Sequence, residues 1–138
     1  MAFWQCYYHV VWTTKYRAPL ITADLESILW DAVQRKSLEL ACPILAVNGT
    51  ADHIHVAVCV PPKLSVAEWV GQIKGYSSHQ VNTLLPNIDT RFRWQKHYGV
   101  LTFGATNLKF VTGYIASQKE HHHQNATIAY LERTDGDE

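Results

Sequence analysis

Apolar and polar residues alternate near the start of the chain, with Trp4, Cys6, Tyr8, Val10 and Trp12 set against Gln5, Tyr7, His9 and Thr13. This two-residue period predicts a strand with one buried face, ended by Lys15, Tyr16, Arg17 and Pro19. The period then changes: Ile21, Leu25, Ile28, Leu29, Ala32 and Val33 recur at helical spacing behind Thr22, an N-cap with acids in the first turn. Pro43 stops that segment. Ile44, Leu45 and Val47, a turn around Asn48 and Gly49, and then residues 53–60 read as two antiparallel strands closed by Pro61 and Pro62. Ser65 with Glu68 forms a capping box, and Val66, Trp69, Val70 and Ile73 supply the apolar stripe of a helix to about Val81. Residues 86–94 read as loop. Val100, Thr102 and Phe103 predict a fourth strand, and a last helix starts near Asn107 with Leu108, Val111, Tyr114 and Ile115.

The order strand, helix, strand, strand, helix, strand, helix predicts an α+β fold of ferredoxin-like or RRM-like type. An antiparallel sheet would carry helices on one face, plus a C-terminal helix bearing Tyr114. One domain over residues 1–138 is expected, with about 125–138 forming a tail. A fold of this kind hosts many activities, so the site has to decide.

With 138 residues, 47% hydrophobic and 17% charged, the chain is long enough for one core and too short for two. Twelve basic and twelve acidic residues cancel, which excludes a polybasic protein and an acidic disordered one. The acids are unevenly placed. Outside 24–39 and 132–138 there remain nine basic against four acidic residues, a surface able to attract phosphate. Cys6, Cys42 and Cys59 are odd in number and far apart, as expected of free thiols in a reducing cytoplasm. No apolar run approaches the ~20 residues of a membrane span, and a soluble cytoplasmic protein is expected.

His53 and His55 flank Ile54 within a predicted strand, so both imidazoles share one face while Ile54 points to the core. Such a pair can grip a divalent cation; spacing alone also allows, and slightly favours, two half-exposed surface histidines. Asp52 just upstream is either a partner of the pair or a turn residue. Tyr114 and Gln118 lie four apart on the last helix and share a face, with His121 and His122 beside it.

Taken together, ADHIHV, the PP-KLSVAEWVGQIKGYSS helix, FRWQKHYGV and FVTGYIASQKEHH resemble, in order and spacing, the single-tyrosine HUH transposases of small bacterial insertion sequences. These are the TnpA-like enzymes of the insertion-sequence 200/605 group. The opening YYHVVWTTKYRAPL is similar to that family's first strand and loop, and the resemblance runs from about Tyr7 to Gln124. It implies that His53 and His55 are metal ligands, that Gln118 is the third protein ligand, and that Tyr114 is the nucleophile. Family members cut single-stranded DNA beside hairpins at insertion-sequence ends and rejoin the strands. His97 departs from the family pattern, where a small residue is usual, and the acidic ending after Tyr130 has no counterpart.

The chemistry suits those residues. At neutral pH about one tyrosine in a thousand is phenolate, a deficit of roughly 4 kcal/mol that the site must supply. Mg²⁺ or Mn²⁺ held by two imidazoles and an amide oxygen would polarise a scissile phosphate, whereas zinc is disfavoured by a set without thiolate or carboxylate. Attack by Tyr114 would give a 5′-phosphotyrosine and a free 3′-hydroxyl. Lys15, Arg17, Lys63, Lys74, Arg91, Arg93 and Lys96 are interleaved with Tyr16, Tyr76, Trp94 and Tyr98, the mixture that single-stranded or hairpin DNA requires. Lys15, Arg17, Lys74, Arg91 and Arg93 are the first candidates. The resemblance further implies a homodimer, with the tyrosine helix docked either in cis or in trans. The alternatives are an RRM-like nucleic-acid binder without catalysis and a metal hydrolase that uses water.

Overall fold

The computed structural model describes residues 3–123 and 127–134. Four strands, β1 (Tyr7–Thr13), β2 (Ile44–Thr50), β3 (His53–Cys59) and β4 (Gly99–Phe103), form one antiparallel sheet in the order β2-β3-β1-β4. With the helices α1 (Ala23–Glu39) and α2 (Val66–Leu84) between strands, this is the expected α+β fold. The Thr22 side chain accepts from the Leu25 amide and Ser65 from the Glu68 amide, so both predicted caps are in place.

The face of the sheet carrying Val10, Trp12, Ile54, Val56 and Val58 packs on α1 and α2 around Leu29, Trp69 and Ile73. Trp12 meets Trp69 and Trp94 edge-on, at centroid distances of 6.1 and 5.8 Å. Trp69 and Trp94 donate their indole N–H groups to Ser37 and Ser77, which lets two polar rings sit in an apolar layer.

The opposite face is covered too. There α3 (Leu108–Ala116) lays Val111 and Ile115 on Ala57, and two short helices follow, α4 (Gln118–His123) and α5 (Ala129–Glu132). β3 is consequently buried on both faces, and His9, predicted on a polar face of β1, is 2% exposed. The part of the expected tail that is described, 127–134, packs against the sheet with Leu131 buried; 125–126 and 135–138 lie outside the described residues.

Two local expectations are corrected. The β2–β3 turn falls at Ala51 and Asp52, because Asn48 and Gly49 pair with His55 and Ile54 inside the ladder. Gly49 serves a close approach instead, since a Cβ there would lie 2.1 Å from the His53 carbonyl oxygen. The last helix also breaks at Ser117, where φ is −101° and ψ is 20°. The Asn48 side chain takes up the Ala116 carbonyl at that point, while Ser117 N–H still bonds back to Gly113, keeping Tyr114 and Gln118 one turn apart.

Candidate metal and tyrosine site

The strand period that buries Ile54 turns His53 and His55 to the other face, beneath α3–α5. His53 Nδ1 lies 2.7 Å from Asp52 Oδ1 and 2.9 Å from Thr50 Oγ1. A carboxylate only accepts, so His53 carries its proton on Nδ1 and turns the Nε2 lone pair inward. Gln118 Oε1 faces that nitrogen at 3.3 Å. The Gln118 amide is oriented by its own N–H, which donates to Glu132 Oε2 at 3.2 Å. In the neutral ring, two lone-pair donors therefore face one another, an arrangement that suits a shared cation.

His55 Nε2 lies 2.9 Å from Glu132 Oε1, and His122 Nε2 lies 3.2 Å from the same oxygen. The ligand atoms of His53, His55, His122 and Glu132 all fall within 4.8 Å of one another. Three imidazoles and one carboxylate, together with the Gln118 oxygen, fit a divalent cation. This set differs from the two imidazoles and one amide that the sequence suggests, and its carboxylate removes the reason given there for disfavouring zinc.

Tyr114 joins this cluster. Its hydroxyl donates to Glu132 Oε2 at 2.5 Å and accepts the Ile128 N–H at 3.0 Å, and its ring stacks on His121 with centroids 4.6 Å apart. Burial, and then the Glu132 carboxylate, push the phenol up to about 12. Burial alone would raise Glu132, but the hydrogen bond and charge of His55, with Tyr114 and Gln118, hold it at about 2. Burial lowers His55, and takes His9 down to about 3 with His55 beside it.

The residue least visible in the sequence is Glu132. It lies in the acidic ending, carries no motif and is 14 positions from Gln118, yet it touches His55, His122, Gln118 and Tyr114. Its position rests on a glycine. A Cβ on Gly99 would lie 1.8 Å from the Arg133 carbonyl oxygen, so the segment ending α5 crosses β4 where no side chain stands.

A family model described as "Transposase IS200 like" matches residues 2–118. The chain belongs to the IS200-like transposase family. The transposase for insertion sequence element IS200 of Salmonella typhimurium is 30% identical over 121 residues, spanning 85% of this chain and 79% of that protein. The ISDra2 transposase TnpA of Deinococcus radiodurans is 22% identical, spanning 85% and 86%. Among solved structures, a candidate transposase from Deinococcus radiodurans superposes with a TM-score of 0.70 at 21% identity, covering 85% of this chain and 93% of that one. A REP-associated tyrosine transposase bound to a REP hairpin gives 0.61 at 14% identity, covering 92% and 76%; both likenesses concern the fold.

In this IS200-like transposase the basic candidates group on one side. The turn holding Lys15 and Arg17 follows β1, and the Lys15 amide donates to the Arg93 carbonyl, bringing that turn against the 91–93 segment. Burial of Phe92 and Trp94 turns Arg91 and Arg93 outward. Arg17 Nε lies 3.7 Å from Asp52, the residue that orients His53, so this basic surface adjoins the histidine pair. Lys74 is placed differently. Its ammonium donates to the carbonyls of Gln95 and His97, each at 2.8 Å, and burial lowers it to about 8. His97, the departure from the family pattern, is thus fixed through its backbone while its side chain stays exposed. Among the described residues no helix is long and apolar enough to cross a membrane.

Proposed function

We propose that this transposase cleaves and rejoins single-stranded DNA at insertion-sequence ends, with Tyr114 as nucleophile and Mg²⁺ or Mn²⁺ as cofactor. The convergence of Tyr114 with His53, His55 and Gln118 in one buried cluster, from segments 65 residues apart at their widest, carries this reading. Through their inward nitrogens and oxygen, His53, His55 and Gln118 would hold the cation. Once bound, it would polarise the scissile phosphate and stabilise charge on the phosphate oxygens. Three imidazoles and a carboxylate also suit zinc; the need to share phosphate and water oxygens favours the harder ions.

Tyr114 is 5% exposed, with its hydroxyl held by Glu132 and Ile128, so a scissile phosphate reaches the phenol only when the 127–134 segment gives way. That displacement removes both the burial and the anion that raise the phenol to about 12. Return toward an ordinary value near ~10 makes phenolate about a hundredfold more accessible. The phenol gives up its proton to water, the phenolate attacks phosphorus, the bond to the 3′ oxygen breaks, and that oxygen takes a proton from water and leaves as a 3′-hydroxyl. One phosphodiester is exchanged for another, and a 3′-hydroxyl from a second strand reverses the step without ATP.

Lys15, Arg17, Arg91 and Arg93 would contact DNA phosphates, and Lys74 would serve binding by holding the 95–97 loop beneath them. Hairpin DNA is the proposed ligand, and a homodimer in the cytoplasm the proposed working form. The β4 edge, with Val100 and Leu101 exposed, supports pairing between copies. The test is incubation with single-stranded DNA from the flank of the encoding gene and Mn²⁺, followed by a denaturing gel. A protein band shifted by attached DNA, lost with EDTA and in His53→Ala, is expected; cleavage that survives EDTA would refute the metal assignment.

A further inference from the structure

His53 and His55 are two residues apart on one strand, but their backing groups differ in kind. His53 Nδ1 meets Asp52, which can only accept, so its tautomer is fixed. His55 Nδ1 instead meets another imidazole, His9 Nε2, at 2.8 Å, with ring centroids 5.0 Å apart. An imidazole can accept or donate, so the tautomer of His55 is left open by its neighbour. His9 sits at the middle of β1, opposite Ala57 on β3 and Leu101 on β4, and is 2% exposed. Its other nitrogen, Nδ1, is buried with no hydrogen-bond partner among the described residues.

One proton lies between His9 Nε2 and His55 Nδ1, and only two arrangements exist for a pair of neutral rings. In the first, His9 donates from Nε2, His55 accepts on Nδ1, and His55 Nε2–H donates to Glu132 Oε1. The 2.9 Å contact with that carboxylate selects this arrangement here. In the second, His55 donates from Nδ1 to His9 Nε2, which leaves the His55 Nε2 lone pair facing the site and puts the His9 proton on Nδ1. Each ring keeps one proton throughout.

We infer that His9 is a positioning residue for the cation: by accepting from His55 Nδ1 it makes His55 Nε2 a ligand, and by donating it makes His55 a hydrogen-bond donor to Glu132. The inference rests on the metal reading above. It has a consequence that a packing role lacks. An amide whose oxygen takes the place of His9 Nε2 can still accept from His55 Nδ1–H and so support His55 as a ligand, whereas an apolar ring of similar size cannot.

The experiment is calorimetric titration of Mn²⁺ into the wild type, His9→Phe and His9→Gln. Long-range ¹H–¹⁵N spectra of the wild-type imidazoles with and without Mg²⁺ accompany it. Mn²⁺ affinity should fall about 10- to 100-fold in His9→Phe and by at least tenfold less in His9→Gln, which keeps an acceptor for His55 Nδ1. On Mg²⁺ loading, both His9 and His55 should change from Nε2–H to Nδ1–H. A folded His9→Phe that binds Mn²⁺ as tightly as wild type would overturn the inference, as would an equal weakening in both variants. If His9→Phe does not fold, the wild-type spectra decide, and His9 remaining protonated on Nε2 after loading refutes the assignment. A wild type that takes up neither ion overturns the metal reading itself, and this inference with it.

Discussion

The Tyr114 hydroxyl donates to Glu132 Oε2 across 2.5 Å, which joins the tyrosine helix to the acidic C-terminal segment. Because burial and then this carboxylate raise the phenol to about 12, Glu132→Gln should bring Tyr114 down toward 10 without reaching it. The difference between Glu132→Gln and Glu132→Gln/Tyr114→Phe in absorbance titration at 295 nm isolates this one tyrosine. An unchanged phenol would mean that Glu132 exerts no charge on it.

The same contact sets a pH dependence. Glu132 is held at about 2 against an ordinary 4.5, so its folded-state value is depressed. Its stabilisation is therefore complete above about pH 4.5 and is lost as pH falls toward 2. Thermal unfolding of the wild type and Glu132→Gln should differ at pH 7 and converge at the acid end; a gap that widens on acidification would contradict the assignment.

Gly99→Ala tests how the segment is seated. The new Cβ would lie 1.8 Å from the Arg133 carbonyl oxygen, so the chain beside Glu132 must shift, destabilising the protein by about 1–3 kcal/mol. Hydrogen exchange should quicken at the Ile128 and Leu131 amides, which bond to Tyr114 Oη and the Ile128 carbonyl, and the Tyr114 phenol should shift as in Glu132→Gln. Retained protection at both amides would show the segment to be seated by other contacts.

The fold was legible because each element announces its own period. The β1 alternation, the Thr22 and Ser65 caps and the apolar stripe of α2 are local signals, and each element lies close to where they put it. His53, His55, Tyr114 and Gln118 were singled out by the family resemblance of their segments; their spacings of two and four residues fix only which side chains share a face. Glu132 and His9 were not. Glu132 reaches the histidines through the fold of the 127–134 segment, and His9 is buried because α3–α5 cover a strand face that alternation assigns to solvent. The Asn48–Gly49 pair read as a turn because that dipeptide is a strong turn signal, whereas here glycine answers a close contact across the ladder.

The basic residues should separate into two groups. Arg91→Ala with Arg93→Ala should leave the melting temperature unchanged, weaken hairpin binding and lower its salt slope by about 2, one per phosphate contact. Lys74→Met removes a charged donor from the Gln95 and His97 carbonyls and should destabilise the fold by about 1.5–3 kcal/mol. A stable Lys74→Met with a reduced salt slope would instead make Lys74 a direct phosphate contact.

Tyr114 lies beside His55 of its own chain, with ring centroids 6.1 Å apart. With docking in cis, a mixture of Tyr114→Phe and His53→Ala chains keeps one defect in every site and should not cleave DNA after verified subunit exchange. Recovered cleavage would mean that the tyrosine helix of one copy completes the site of another.

The central claim, that Tyr114 attacks the DNA, is tested most directly by mass spectrometry of the protein after reaction with single-stranded flank DNA and Mn²⁺, nuclease trimming and proteolysis. A nucleotide joined through its 5′ phosphate should be found on the peptide carrying Tyr114 and should be absent from Tyr114→Phe. Cleaved DNA with no adduct on the protein, or an adduct on another residue such as Tyr98 or Tyr130, would contradict the account.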